Sequence, residues 1–189
     1  MALNVLQYEE IVSLLREVPG LVDGLETRSS RYPDDVLGWL RRAEVVLEHN
    51  RLPAVSQVAA CRATLISATR GVRAPDVVIV GRPTVRKVRE ATASMVLLRC
   101  NDLLQGTIAE RQATFGEAER IARQVLTVAE AKGIVETCRD GRPHGAFLAC
   151  LQQQIAVDPD LANANAHLVS LLGRSDVLIF LDRAVPTVA

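Results

Sequence analysis

The stretch from Pro83 to Cys138 constrains this chain more than any other, because it carries the longest uninterrupted helical pattern in the sequence. Pro83 suits a first helical turn, where its missing N–H would have had no partner and its ring already sets φ near the helical value. Beyond it, Val85, Val88, Thr92 and Met95 recur at three and four residues. Val96, Cys100, Leu103, Leu104 and Ile108 then take up the apolar stripe. A continuous helix from Thr84 to Ala113 would be about 43 Å long, against roughly 30 Å for the diameter of a small domain. Such a helix must bend, break or overhang. The break is expected between Asn101 and Gly106, where Gly weakens a helix interior by about 1 kcal/mol relative to Ala.

A second helix is expected to start at Thr114, with Glu117 completing a capping box and Ala118, Ile121, Ala122, Val125, Val128 and Ala129 forming its buried face. Gly133 or Asp140-Gly141 ends it. The short connection predicts that these two helices pack antiparallel, with the flanking helices covering them.

The flanks read in the same way. Leu6, Ile11, Leu14, Leu15 and Val18 give an amphipathic helix that meets Pro19-Gly20, with a resumption at Leu21 to Leu25. The basic, serine-bearing run Arg28 to Arg31 reads as a solvated connection. Asp34 and Asp35 open a helix bearing Val36, Leu37, Leu40, Ala43, Val46 and Leu47, with Trp39 as a core or interface anchor. Ala54 to Thr69 is a further helix, stopped by Gly71. Asp76 to Val80 is β-branched and bracketed by Pro75 and Gly81, so it reads as an extended linker. Its echo at Asp176 to Asp182 is read as a helix over 176–184. Pro143 and Asp158-Pro159 start two more helices, and Pro186 to Ala189 is expected to fray.

These elements predict an all-α protein of seven or eight helices, an antiparallel bundle or a short stack of helical hairpins. The alternative is an α+β domain in which 76–80 and 177–181 pair as two strands. Residues 1–189 are expected to form one helical domain, with a possible subdivision into 1–74 and 83–189. The run Ala156-Val-Asp-Pro-Asp-Leu-Ala162, followed by Leu168 and Leu171-Leu-Gly-Arg174, resembles the junction between two tetratricopeptide repeats. That likeness covers under a quarter of the chain, and no period of about 34 residues is sustained. No family is assigned on it; it implies only stacked helical hairpins.

Composition excludes several function classes. Hydrophobic residues make up 49% of the chain and aromatics 3%, so the core is built from Leu, Val, Ile and Ala. The formal net charge is zero, which argues against a polyanion-binding or membrane-surface protein as a whole. No run approaches the roughly 18 apolar residues of a membrane span. Asn4, Gln7, Glu9 and Glu10 do not form a secretory signal, and a cytoplasmic location is expected. Cys61, Cys100, Cys138 and Cys150 are widely spaced on helix faces, so buried free thiols are expected rather than disulfides.

No catalytic residue, metal ligand set or cofactor motif emerges. Cys138, His144 and Cys150 lack the fourth ligand that a structural zinc requires. Two groups of basic residues are candidate anion or partner contacts. Arg82, Arg86 and Arg89 share a helix face, and Arg139, Arg142 and His144 gather at a helix start. Leu97, Leu104 and Ile108 are candidate interface residues, because the helix they occupy is apolar over a wide arc and a homo-oligomer or protein partner would cover it. The expectation is therefore a non-enzymatic interaction or assembly module. The alternative is a helical ligand sensor, or a nucleic-acid-complex subunit touching anions through its arginines, although the lack of interleaved aromatics argues against base stacking.

Overall fold

The computed structural model describes residues 3–79 and 82–185. Eight helices follow in order: α1 Val5–Glu26, α2 Tyr32–His49, α3 Val55–Thr69, α4 Val85–Ala131, α5 Ile134–Arg139, α6 His144–Val157, α7 Ala162–Leu172 and α8 Arg174–Ala184. The protein is all-α, a multi-helix bundle with 79% of the described residues helical and no strand among them. The α+β alternative falls with that finding, since 177–181 lies inside α8. Residues 77 to 79 belong to no helix or strand. Val80 and Gly81, which complete the expected linker, lie outside the described residues, as does the tail 186–189.

The largest departure from expectation is α4, a single helix of 47 residues where two antiparallel helices were expected. It neither breaks between Asn101 and Gly106 nor restarts at Thr114. The physical reason lies in the glycines and in the threonine. A Cβ at Gly106 or Gly116 would meet nothing within 4 Å, so both occupy open positions where a missing side chain costs only helix propensity. Thr114 caps nothing: its hydroxyl donates back to the Glu110 carbonyl at 3.3 Å, as a mid-helix threonine does. Pro19 likewise fails to end α1, which runs through it to Glu26.

The chain forms two compact units whose boundary falls within α4, between Ala109 and Glu110. One unit comprises Leu6–Ala109. Ile11, Trp39, Leu40, Leu47, Leu65, Leu97 and Leu104 are fully buried in it, each such side chain contributing about 1.5–3 kcal/mol. Trp39 Nε1 donates to the Leu14 carbonyl at 3.0 Å, joining α2 to α1. That carbonyl neighbours the one at Leu15, which Pro19 deprives of its helical donor. Asn50, buried at the end of α2, donates to Glu10 at 2.6 Å and to the Val46 carbonyl at 2.9 Å.

Three helices of this unit end in the same way. Leu52 N–H reaches back to the Leu47 carbonyl and Arg51 N–H to that of Glu48, closing α2 in a Schellman motif with Arg51 left-handed at φ 54°. Arg28 closes α1 and Gly71 closes α3 by the same pair of bonds. Only the third places glycine in the left-handed slot.

The other unit comprises Met1–Val5 and Glu110–Ala189. Leu151, Ile155, Leu168 and Leu181 are buried in it, and the Phe115 and Phe180 rings lie 5.8 Å apart. Asp158 and Pro159 form a turn in which Asp158 Oδ1 accepts from the Asp160 amide, and α7 begins only at Ala162. Lys132, one residue past α4, donates to both oxygens of Asp158 at 2.7 and 2.8 Å.

The cysteines correct another expectation. Cys61 and Cys100 are free and buried, but Cys138 and Cys150 form a disulfide with their Cα atoms 5.6 Å apart. The turn through Gly141, left-handed at φ 63°, folds α6 back beside α5 and brings the two sulfurs together.

Candidate functional site

Exposed apolar and basic groups converge at one end of the Leu6–Ala109 unit. The end of α1, the turn after it, the start of α2, the end of α3 and the start of α4 all meet there. One hollow of about 340 Å³ is lined by Ser30, Pro33, Thr69, Val85, Arg86, Arg89 and Glu90. A second, of about 250 Å³, is lined by Gly24, Leu25, Arg28, Ser29, Tyr32, Arg86 and Glu90. Arg86 and Glu90 therefore form the ridge between the two, held by a bond of 2.6 Å from Arg86 Nε to Glu90 Oε1. That bond raises the Arg86 pKa further, so the guanidinium stays charged throughout.

The apolar component is set by chain geometry. The left-handed turn at Gly71 delivers Val72 into solvent, and a Cβ at Gly71 would lie 3.5 Å from Val85 Cγ2, so the end of α3 abuts the start of α4. Val72 is 58% exposed, Val85 54% and Val78 81%. Val77 between them is buried. Its carbonyl accepts from Arg73 Nε at 2.8 Å and its amide donates to the Ala74 carbonyl, so the segment is anchored while Val78 faces water.

The basic component is partly committed. Arg89 Nη2 pairs with the Asp34 carboxylate, but the Arg89 Nε is buried with no acceptor from the protein. A buried N–H without a partner costs about 1–3 kcal/mol, so an acceptor oxygen brought to this Nε would be favoured. Tyr32, in the adjoining hollow, donates through its hydroxyl to Ser94 Oγ at 3.2 Å, and burial pushes its pKa up.

Of the residues singled out from sequence, Arg86 and Arg89 are brought together here, whereas Arg82 is exposed in the bend before α4 and lines neither hollow. Arg139, Arg142 and His144 belong to the other unit and are engaged within it. Arg142 Nη1 donates to the Thr137 and Cys138 carbonyls at 3.2 and 3.0 Å, closing the end of α5. Arg139 stacks over the Phe147 ring at 5.6 Å, and His144 Nε2 lies 2.8 Å from Asp182 Oδ1. Leu97, Leu104 and Ile108 are buried by the chain itself, and the apolar side chain that this part of α4 leaves exposed is Leu98.

Arg28 and Val85 line the hollows although no motif in the sequence marks either as a site residue. The basic, serine-bearing run at 28–31 was the available signal for the first; nothing local marks an exposed valine.

Among the described residues no three His, Cys, Asp or Glu side chains are grouped to hold a metal ion. No single helix among them is long and apolar enough to cross a membrane. Comparison with protein-family models, curated proteins and solved structures finds no significant match to this chain.

Proposed function

We propose that this chain is a non-enzymatic helical interaction module, and that its protein partner docks on the paired hollows between α1, α2, α3 and α4. The observation that carries this reading is the exposure of Val85 in a hollow that Arg89, with its buried Nε lacking an acceptor, also lines. An exposed valine with arginines in the same hollow suits a protein interface, where Arg is enriched. The chemistry favours a partner segment that offers an apolar side chain together with a carboxylate or backbone carbonyl oxygen. Both a different protein and a second copy of this chain fall within that description.

The test is affinity recovery of the tagged chain from its own cells, beside a Val85→Glu variant. A partner present in fixed stoichiometry with the wild type and lost from the variant supports the proposal. A wild type recovered alone, sedimenting as a monomer at micromolar concentration, contradicts it.

Nucleic-acid contact is the weaker reading, because Arg86 and Arg89 are already paired with Glu90 and Asp34. Binding of that kind would fall steeply with salt, with a slope of about 0.9 per phosphate contacted. A cytoplasmic location goes with the proposal and has its own test. Disulfides are rare in the cytosol, so the Cys138–Cys150 bond bears on this point: acid-quenched alkylation of intact cells that labels both cysteines supports a cytoplasmic location, and protection of both contradicts it.

A further inference from the structure

The Cys138–Cys150 disulfide joins two sulfurs in unlike surroundings. Cys138, on α5, is completely buried, whereas Cys150, on α6, is partly exposed. Arg142 Nη1 donates to Cys150 Sγ at 3.1 Å, and the same nitrogen donates to the Thr137 and Cys138 carbonyls. Arg142 is an exposed residue, and among the described residues Nη1 makes all of its hydrogen bonds. Its Nε and Nη2 therefore carry N–H groups without a protein acceptor, next to an accessible sulfur.

We propose that Cys150 is a site of thiol–disulfide exchange: a small thiol that carries a carboxylate attacks Cys150, seated by Arg142, and the bond to Cys138 opens and closes through a mixed disulfide on Cys150. This site lies in the Glu110–Ala189 unit and is independent of the partner surface.

The chemistry balances with the small thiol as reductant. Its thiolate sulfur attacks Cys150 Sγ; a new S–S bond forms, the Cys138–Cys150 bond breaks, and Cys138 leaves and takes up the proton that the attacking thiol gave up. A second small thiol attacks the sulfur of the first, releasing Cys150 as a thiol together with a small-molecule disulfide. Two small thiols are thereby oxidised, and the protein disulfide is reduced by two electrons. Closure runs the same steps in reverse, with Cys138 expelling the small thiol from Cys150.

Access divides the roles of the two sulfurs. Exchange depends on which sulfur can be reached, and Cys138 offers no surface. A guanidinium beside the Cys150 sulfur favours its thiolate once it is released. Contacts that do not depend on the bond keep α5 beside α6. Arg142 holds the α5 carbonyls, Arg139 stacks over Phe147 at 5.6 Å, and Val135, Phe147 and Leu151 are buried. Cys138 therefore remains near Cys150 when the bond is open, which lets it close again.

The test incubates the full chain near neutral pH with a large excess of reduced glutathione, quenches with acid and maps the peptides by mass spectrometry without reductant. We expect a glutathione adduct on Cys150 and none on Cys138, and return of the Cys138–Cys150 bond when oxidised glutathione is added. In Cys138→Ser the adduct should accumulate, because nothing expels it. In that background, Arg142→Gln should slow modification by oxidised glutathione about threefold, the loss expected of one exposed ion pair. The loss should be smaller with hydroxyethyl disulfide, which has no carboxylate; an equal loss with both overturns the assignment of a carboxylate-bearing thiol. If Cys138 carries the adduct, or if the folded wild type resists glutathione and opens only in denaturant, the proposal is overturned, whatever the variants do.

Discussion

Asp176 Oδ2 accepts a hydrogen bond from the Val5 amide at 3.1 Å, although 171 residues separate the two. Asp176 is buried in the first turn of α8, where a carboxylate also meets the positive end of the helix. The bond satisfies an amide at the start of α1 that has no helical partner of its own. Replacing Asp176 with Ala leaves that amide buried and unpaired, and should cost about 2 kcal/mol in denaturant melts. Asp176→Asn keeps an acceptor oxygen and should cost less. Equal losses for the two would mean that charge, rather than the bond, is what matters.

Arg51 occupies a left-handed conformation that an L side chain adopts at a cost of roughly 1–2 kcal/mol. Arg51→Gly should therefore raise stability by about 1 kcal/mol after glycine's extra unfolded-state entropy is allowed for. Arg28→Gly should act in the same direction. Because Arg28 lines one of the paired hollows, partner recovery with that variant separates its backbone role from its surface role.

The Cys138–Cys150 bond closes a loop with a sequence separation of 12. A loop near that size is stabilised by about 3 kcal/mol through restriction of the unfolded chain. Dithiothreitol should lower the stability of the unit that holds it by up to that amount. Cys138→Ser should reproduce the loss and show no further response to reductant.

The Lys132–Asp158 pair predicts a pH dependence. The hydrogen bond from Lys132 holds the Asp158 carboxyl below the usual carboxylate range, and the same bond raises the Lys132 ammonium. A depressed acid contributes stability above its unfolded pKa and loses it as pH falls through the folded one; a raised base contributes below its unfolded pKa and loses it as pH rises through the folded one. The pair therefore acts fully between about pH 4 and pH 10. Lys132→Met should melt lower than wild type at neutral pH. The gap should close in acid once Asp158 is protonated in both proteins.

The amphipathic helices were legible because their signal is periodic. Ile11, Leu40, Leu47 and Leu65 fall on the expected faces and are buried. The continuity of α4 was not legible, because Thr114 and Glu117 satisfy a capping pattern equally well in mid-helix, where the Thr114 hydroxyl bonds to Glu110 instead. As a consequence, Thr114→Ala should change stability by no more than about 0.5 kcal/mol, the range of an ordinary surface substitution. The disulfide escaped because spacing along the chain does not say that the Gly141 turn brings two helix faces together. The exposed valines escaped because burial depends on distant elements. Arg142 and His144 looked available for an anion, yet the Cys138 carbonyl and Asp182 occupy them.

The partner surface is tested most directly by placing a photo-crosslinking amino acid at position 85 in living cells, with position 45 on the exposed face of α2 as the comparison. The proposed docking site predicts one discrete adduct, larger than the chain, from position 85. That adduct should be absent from position 45 and lost when Arg89→Ala is added. Irradiation at position 85 that yields no adduct, from a protein that is folded and monomeric, would contradict the account.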